Sequence, residues 1–310
     1  MSGKIVVFGA GNVGGAVTRR LVERKLCKTV VLVDRTPGRA RGVTLDIREA
    51  SPIDLLEPVA IEGDDLTRLT GAELVIITAG SPRKPGMSRD DLLKINAAIV
   101  RGCVTTAMDH CPEAFFLVVT NPLNAMCQVA MQAGNLKPER IAGMAGILDA
   151  ARFQYFIARE LAVSPENVQA MVLGEHGDDM VCVPRYSTVA GIPVTELLSP
   201  ERLAKLVERT KNGGAEIVNM LSTSAYYAPA SAVVQMVASV VMDKKKILPC
   251  AAWLRGQYGI DGMFVGVPVK LGRGGVEQIM ELSLNPEESA ALRRSADKIG
   301  KLLNRLDDHV

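Results

Sequence analysis

The amino-acid sequence predicts an α/β protein, with a doubly wound parallel sheet over residues 1–148 and a mixed α+β domain over 149–310. Three observations lead there. Short β-branched runs alternate with longer helical patterns in the first half, as parallel strands joined by crossover helices require. Each run is nearly continuous in Val, Ile, Leu or Phe, which suits strands covered on both faces. Beyond residue 149 the alternation stops, and longer helical patterns separate isolated strand-like runs.

In order, strands are expected at 4–8, 29–33, 74–78 and 115–120, with a short fifth at 141–143. Helical patterns cover 13–24, 90–108 and 122–132. In the second half, helices are expected at 150–161, 200–220, 231–242 and 286–306, the last plainly amphipathic. Runs at 168–173, 180–184, 253–256 and 263–269 read as strands. The two halves are expected to pack together around a cleft.

Composition narrows the function classes. The 310 residues carry 36 Lys and Arg against 34 Asp and Glu, a net charge of +2 that gives nucleic acid or an anionic membrane no electrostatic hold. The longest apolar stretch, 232–242, contains Gln235 and Ser239 and is too short to span a bilayer. The first strand begins at Lys4, leaving no room for a signal peptide. Cysteines 27, 103, 111, 127, 182 and 250 show no zinc or redox-dithiol spacing, so a reducing, cytoplasmic setting without a metal site is expected.

Gly9-Ala10-Gly11-Asn12-Val13-Gly14 stands between the first strand and the first helix. The first glycine permits a tight turn, the second lets backbone approach a pyrophosphate, and the third allows close helix packing. The helix N-terminus behind it offers free N–H groups and partial positive charge to phosphates. Asp34 closes the next strand, where an acid accepts hydrogen bonds from a ribose diol and repels a 2′-phosphate. Together these predict a Rossmann-type NAD site. Thr78-Ala79-Gly80, and Val119 and Thr120 with Asn121-Pro122, end two further strands at the same sheet edge, where Asn121 can hold the nicotinamide ribose.

Three histidines are candidates for proton transfer near neutral pH. His309 is next to the C-terminal residue, and His110 precedes Cys111-Pro112 and reads as a surface connector. His176 lies in Gly174-Glu175-His176-Gly177-Asp178, directly after an apolar strand. A lone histidine is most often structural, and the flanking glycines alone leave both readings open. Asp149 and Arg152 are three apart, so on a helix both can face one cleft or simply form an ion pair.

Six segments, in order, resemble the lactate and malate dehydrogenases: the glycine turn, Ile77-Thr78-Ala79-Gly80, the loop at 81–89, Thr120-Asn121-Pro122, Leu148-Asp149-Ala150-Ala151-Arg152-Phe153 and Gly174-Glu175-His176-Gly177-Asp178. Gly213-Gly214-Ala215-Glu216 belongs to the same pattern, and the likeness runs from the first strand to the final helix. Within the family the pattern is most similar to the lactate-dehydrogenase-like bacterial malate type. The resemblance implies that His176 accepts the hydroxyl proton while hydride passes to NAD, with Asp149 orienting the imidazole. It implies that Arg152 holds the C1 carboxylate and that Arg89 polarises the reacting carbonyl. Asn96 then matches a cofactor contact, and Asn121 one to cofactor and substrate. The loop at 81–89 is expected to act as a lid.

In that loop Arg83 matches the residue that reads the rest of the substrate, where arginine suits the second carboxylate of oxaloacetate. Closing it into a dry cleft without a partner costs ~3–5 kcal/mol, roughly two to four orders of magnitude against pyruvate. Lactate dehydrogenation, or a non-catalytic NAD-binding sensor, is the alternative. The family likeness also implies a homodimer or homotetramer.

Overall fold

The computed structural model describes residues 2–63, 65–82 and 88–307. The first half builds β1 (Ser2–Phe8), α1 (Asn12–Glu23), β2 (Cys27–Val33), α2 (Arg39–Asp54), β3 (Ala60–Glu62) and β4 (Leu74–Ile77). It continues through α3 (Arg89–His110), β5 (Phe115–Val118), α4 (Leu123–Ala133) and β6 (Ile141–Gly143). The six strands pair in parallel in the order β3-β2-β1-β4-β5-β6. Every residue of β4 and β5 is buried, as continuous apolar runs between two helical layers must be. The sheet reverses direction of growth between β1 and β4, which opens a crevice at the strands' C-terminal ends. This is the Rossmann-type α/β fold the sequence predicts.

Helix α1 buries Val17, Thr18, Leu21 and Val22 along one stripe while Arg19 and Glu23 pair outside it. Helix α2 and strand β3 were not legible in the sequence. The stripe α2 buries is Ala40, Thr44, Ile47 and Ser51, half of it polar. Thr44 Oγ1 and Ser51 Oγ donate to the carbonyls of Ala40 and Ile47, so the helix packs without an apolar period. Strand β3 is three residues long, too short to show alternation.

The second half starts with α5 (Gly146–Leu161), four residues earlier than expected, followed by β7 (Val168–Gln169), β8 (Val172–Gly174) and β9 (Met180–Cys182). Then come β10 (Thr188–Val189), β11 (Ile192–Pro193), α6 (Val194–Leu197), α7 (Pro200–Leu221) and α8 (Tyr227–Val241). The chain ends with β12 (Lys246–Arg255), β13 (Asp261–Gly272), β14 (Gly275–Ile279) and α9 (Pro286–Asp307). The single strand expected at 168–173 is two strands in different sheets, β7 beside β10 and β8 between β13 and β9. The chain changes sheet at Ala170-Met171, which an apolar run does not reveal.

Strands β12 and β13 are longer than expected and pair antiparallel, with Trp253 opposite Phe264 and their rings edge to face at 5.4 Å. Gly143 of β6 pairs with Ala251 of β12, so one sheet crosses from the parallel half into the antiparallel half. Five of the six cysteines are buried and all are free. Desolvation pushes the Cys27 thiol up to about 12 and that of Cys111 to about 11, which leaves both as inert packing groups. His110 is the last residue of α3 rather than a connector, while His309 lies outside the described residues.

Candidate active site

The ends of β1, β2, β4 and β5 converge on one edge of the sheet. Gly9 turns there with φ +102°, and a Cβ on it would sit 2.7 Å from the Ala79 nitrogen. A Cβ on Gly14 would overlap the Gly9 carbonyl oxygen and approach Thr78 Oγ1 to 2.7 Å. Gly11 is the opposite case, with open space where its side chain would be and no side-chain cap at the start of α1. Two glycines therefore close the turn, and the third leaves backbone N–H groups of Asn12 and Val13 free for a phosphate.

Asp34 sits at the end of β2. Its Oδ2 accepts the Ala10 N–H at 2.7 Å and its Oδ1 accepts the Thr36 N–H at 2.8 Å. Partial burial works against ionisation, but the bonds from Thr36 and Ala10 outweigh it and hold the carboxyl below the usual range. The carboxylate keeps acceptor capacity for a diol hydroxyl. These residues fit a dinucleotide: an open cradle for pyrophosphate, and beside it a carboxylate fixed by the Ala10 and Thr36 N–H groups.

Two more side chains shape the neighbouring loops. Asn96 of α3 is only 2% exposed, and its amide takes the Ser81 N–H at 2.7 Å while donating to the Asn121 carbonyl at 2.7 Å. It thus fastens the 81–82 segment to the end of β5. Thr120 Oγ1 donates to the Ala79 carbonyl at 2.7 Å and ties β5 to β4. Val13, Val119 and Asn121 line a cavity of about 650 Å³ that continues into the second half of the chain.

On the far wall of that cavity stand Asp149, Arg152 and His176. Asp149 lies in the first turn of α5, where the helix N-terminus favours a carboxylate. Its Oδ2 is 2.8 Å from His176 Nδ1 and its Oδ1 is 3.1 Å from Arg152 Nη1, with the Asp149 side chain 1% exposed. His176 is 13% and Arg152 16% exposed, so both reach the cavity over a buried anion. Burial opposes the imidazolium, but the charge and hydrogen bond of Asp149 outweigh it and raise the His176 pKa. With Nδ1–H donated to Asp149, Nε2 is the free lone pair.

Arg152 owes its place to α7. A Cβ on Gly213 would come within 3.2 Å of Arg152 Cδ, and one on Gly214 within 3.7 Å of Nη2. The paired glycines give the guanidinium its slot. Arg83 falls in 83–87, outside the described residues; Arg89 opens α3, and its side chain is likewise outside them. Ser88 and Asp91 form a reciprocal cap there, with Ser88 Oγ accepting the Asp91 N–H at 3.0 Å.

The structure adds residues that sequence reasoning missed. Asn124, 3% exposed on α4, accepts the His176 N–H at 3.4 Å and donates to the Phe264 carbonyl at 3.0 Å. Ser295, fully buried on α9, accepts the Glu175 N–H at 2.7 Å. Both are polar residues on otherwise apolar helix faces, which is the signal that could have marked them.

A buried carboxylate bonded to an imidazole and an arginine stands across one cavity from a cradle that fits a dinucleotide, the arrangement of a nucleotide-linked enzyme. Residues 3–143 match the family described as lactate/malate dehydrogenase, NAD binding domain, and residues 147–310 match its alpha/beta C-terminal domain. The malate dehydrogenase of Chloroherpeton thalassium is 50% identical over 297 residues, 96% of each chain. The solved malate dehydrogenase of Salinibacter ruber has a TM-score of 0.94 at 44% identity, covering 98% of each chain. A Cryptosporidium parvum lactate dehydrogenase, solved with lactic acid and NAD, has a TM-score of 0.95 at 34% identity, covering 100% of this chain and 99% of that one. The chain belongs to the lactate/malate dehydrogenase family and is an NAD-dependent oxidoreductase. Backbone likeness is equal for relatives of either name, so substrate choice rests with side chains.

Proposed function

We propose that the chain is a malate dehydrogenase, interconverting (S)-malate and oxaloacetate, with residues 1–148 holding NAD and 149–310 presenting the substrate. The observation that carries this reading is Asp149, which holds His176 and Arg152 with its two oxygens on one wall of the cavity. NAD, when bound, supplies the hydride acceptor. The 9–14 turn would hold its pyrophosphate and Asp34 its adenosine ribose. Val119, Thr120, Asn121 and Asn96 would shape the nicotinamide end.

The chain's own residues do the rest. His176 Nε2 takes the substrate hydroxyl proton, and Asp149 stabilises the imidazolium that results. Arg152 has donors beyond the one given to Asp149, so its planar fork can bind the C1 carboxylate. Arg89 polarises the oxygen at C2, and Asn121 donates to it. Arg83 pairs with the second carboxylate, and this sequence feature, with the names of the relatives, favours malate over lactate.

The same reading makes the protein a cytoplasmic enzyme of the tricarboxylic acid cycle, assembled as a homodimer or homotetramer. Free cysteines support the compartment, and light scattering on the purified protein reads the stoichiometry. Among the described residues no helix is long and apolar enough to cross a membrane. The deciding assay follows NADH oxidation with oxaloacetate beside pyruvate. Expected is a kcat/KM at least about a hundredfold higher for oxaloacetate; equal or reversed values overturn the assignment.

A further inference from the structure

Helix α9 packs against the loop that carries His176. Ser295, Lys298, Leu302 and Arg305 recur at spacings of three and four, so they share one helix face. Ser295 holds the Glu175 N–H. Lys298 Nζ lies 3.1 Å from Glu175 Oε2 and 2.6 Å from Asp179 Oδ2. It therefore bridges two carboxylates that bracket His176-Gly177-Asp178. Arg305 Nη1 is 3.0 Å from Asp90 Oδ1, in the first turn of α3.

The Glu175–Lys298 contact differs from an ordinary surface ion pair, which contributes little. Glu175 is 17% exposed, and its Oε2 is shut off from solvent. Among the described residues Lys298 is the cation paired with it. Burial disfavours the Lys298 ammonium, yet its ion pairs with Asp179 and Glu175 outweigh that and raise its pKa, so it stays charged. A buried carboxylate next to His176 would otherwise add a second anion to the one the imidazole already has in Asp149.

We propose that Lys298 is a positioning residue for His176: it pins the ends of the 175–179 loop and offsets the Glu175 charge, leaving Asp149 the dominant anion at the imidazole. The inference rests on reading His176 as the proton acceptor. The other charged groups on the same cavity are Asp149 and Arg152 of α5, Lys211 of α7, Asp178 of the loop itself, and Lys301 and Arg305 of α9. None of them is paired with Glu175 among the described residues.

The test uses the full-length protein with NAD present and histidine labelled for NMR, His176 being assigned by the resonance lost in His176→Asn. Lys298→Met should raise the His176 pKa by about half a unit and Glu175→Gln should lower it by a similar amount. The double variant should return close to the parent value, and Lys298→Arg should stay there. The acid limb of kcat/KM for malate oxidation should move in the same directions. Shifts of equal sign in the two single variants, or no shift in either, overturn the proposal, because a purely structural tether does not give opposite signs. Should Lys298→Met not fold, Glu175→Gln decides alone, and an unmoved pKa refutes the coupling. NMR shifts as expected with a stationary kinetic limb uphold the coupling and remove His176 from the rate, which separates the two readings.

Discussion

Replacing Asp149 with Asn tests the centre of the site, because the change is isosteric and the geometry dictates its consequences. Asp149 accepts from Arg152 Nη1 on one oxygen and from His176 Nδ1 on the other. Asn has one acceptor and one donor group. Turning its oxygen to His176 would put its NH2 against a guanidinium that can only donate. The compatible orientation gives the oxygen to Arg152 and the NH2 to His176 Nδ1. That forces the imidazole proton onto Nε2, where the substrate's proton must arrive. The variant therefore holds the ring in the wrong tautomer as well as removing its counter-ion.

The magnitude follows from burial. Asp149 is 1% exposed, so the imidazolium formed during oxidation would stand over a site with no compensating charge. Leaving a buried charge unpaired costs ~3–5 kcal/mol, which is about two to four orders of magnitude in rate. The assay is steady-state NADH formation from malate across the pH range, with NAD affinity measured separately by fluorescence quenching. Expected are a kcat/KM lower by about 10²–10⁴, an acid limb displaced to lower pH, and NAD binding within about twofold of the parent. A loss of less than about tenfold, with the limb unmoved, would falsify the assignment of Asp149 as the group that governs His176.

Other outcomes follow from the same geometry. The His176 pKa is raised in the folded state, so the stability its protonation adds is full below about pH 6.5 and fades as pH climbs through the native value. The melting-temperature advantage of the parent over His176→Asn should accordingly shrink between pH 6 and pH 9, roughly; an advantage that grows with pH contradicts it. Gly14→Ala drives a Cβ into the Gly9 carbonyl, backbone that cannot move aside, and should cost about 1–3 kcal/mol of stability by denaturant melt along with NAD affinity. Gly213→Ala instead meets the flexible Arg152 side chain at 3.2 Å; KM should rise several-fold with kcat little changed, and an unchanged KM removes the glycine from substrate placement. Arg83→Gln should narrow the oxaloacetate-over-pyruvate ratio, and a constant ratio takes Arg83 out of specificity.

The parts of the molecule that were legible in the sequence are those whose cause is local. A parallel strand buried on both faces writes an unbroken apolar run, so β1, β4 and β5 were readable, whereas α2 was not, since hydroxyls bonded to its own carbonyls fill half its buried stripe. The glycine turn and the Asp149–Arg152 pair are compact in sequence for the same reason. What holds His176 in place is different in kind. Its backbone N–H goes to Asn124, 52 residues away, and the neighbouring Glu175 N–H goes to Ser295, 120 residues away. No spacing rule spans such distances, because the partners are set by how α4 and α9 pack on β8 and β13. Yet each partner leaves a local trace. Asn124 stands among Leu123, Ala125, Met126 and Cys127, and Ser295 between Leu292 and Ile299, all buried. Burying an unpaired amide or hydroxyl costs about 1–3 kcal/mol, so a buried polar side chain that does not bond its own helix, as Thr44 and Ser51 do, must have a partner elsewhere in the fold. In this chain the partners are the two main-chain groups that fix the loop bearing His176.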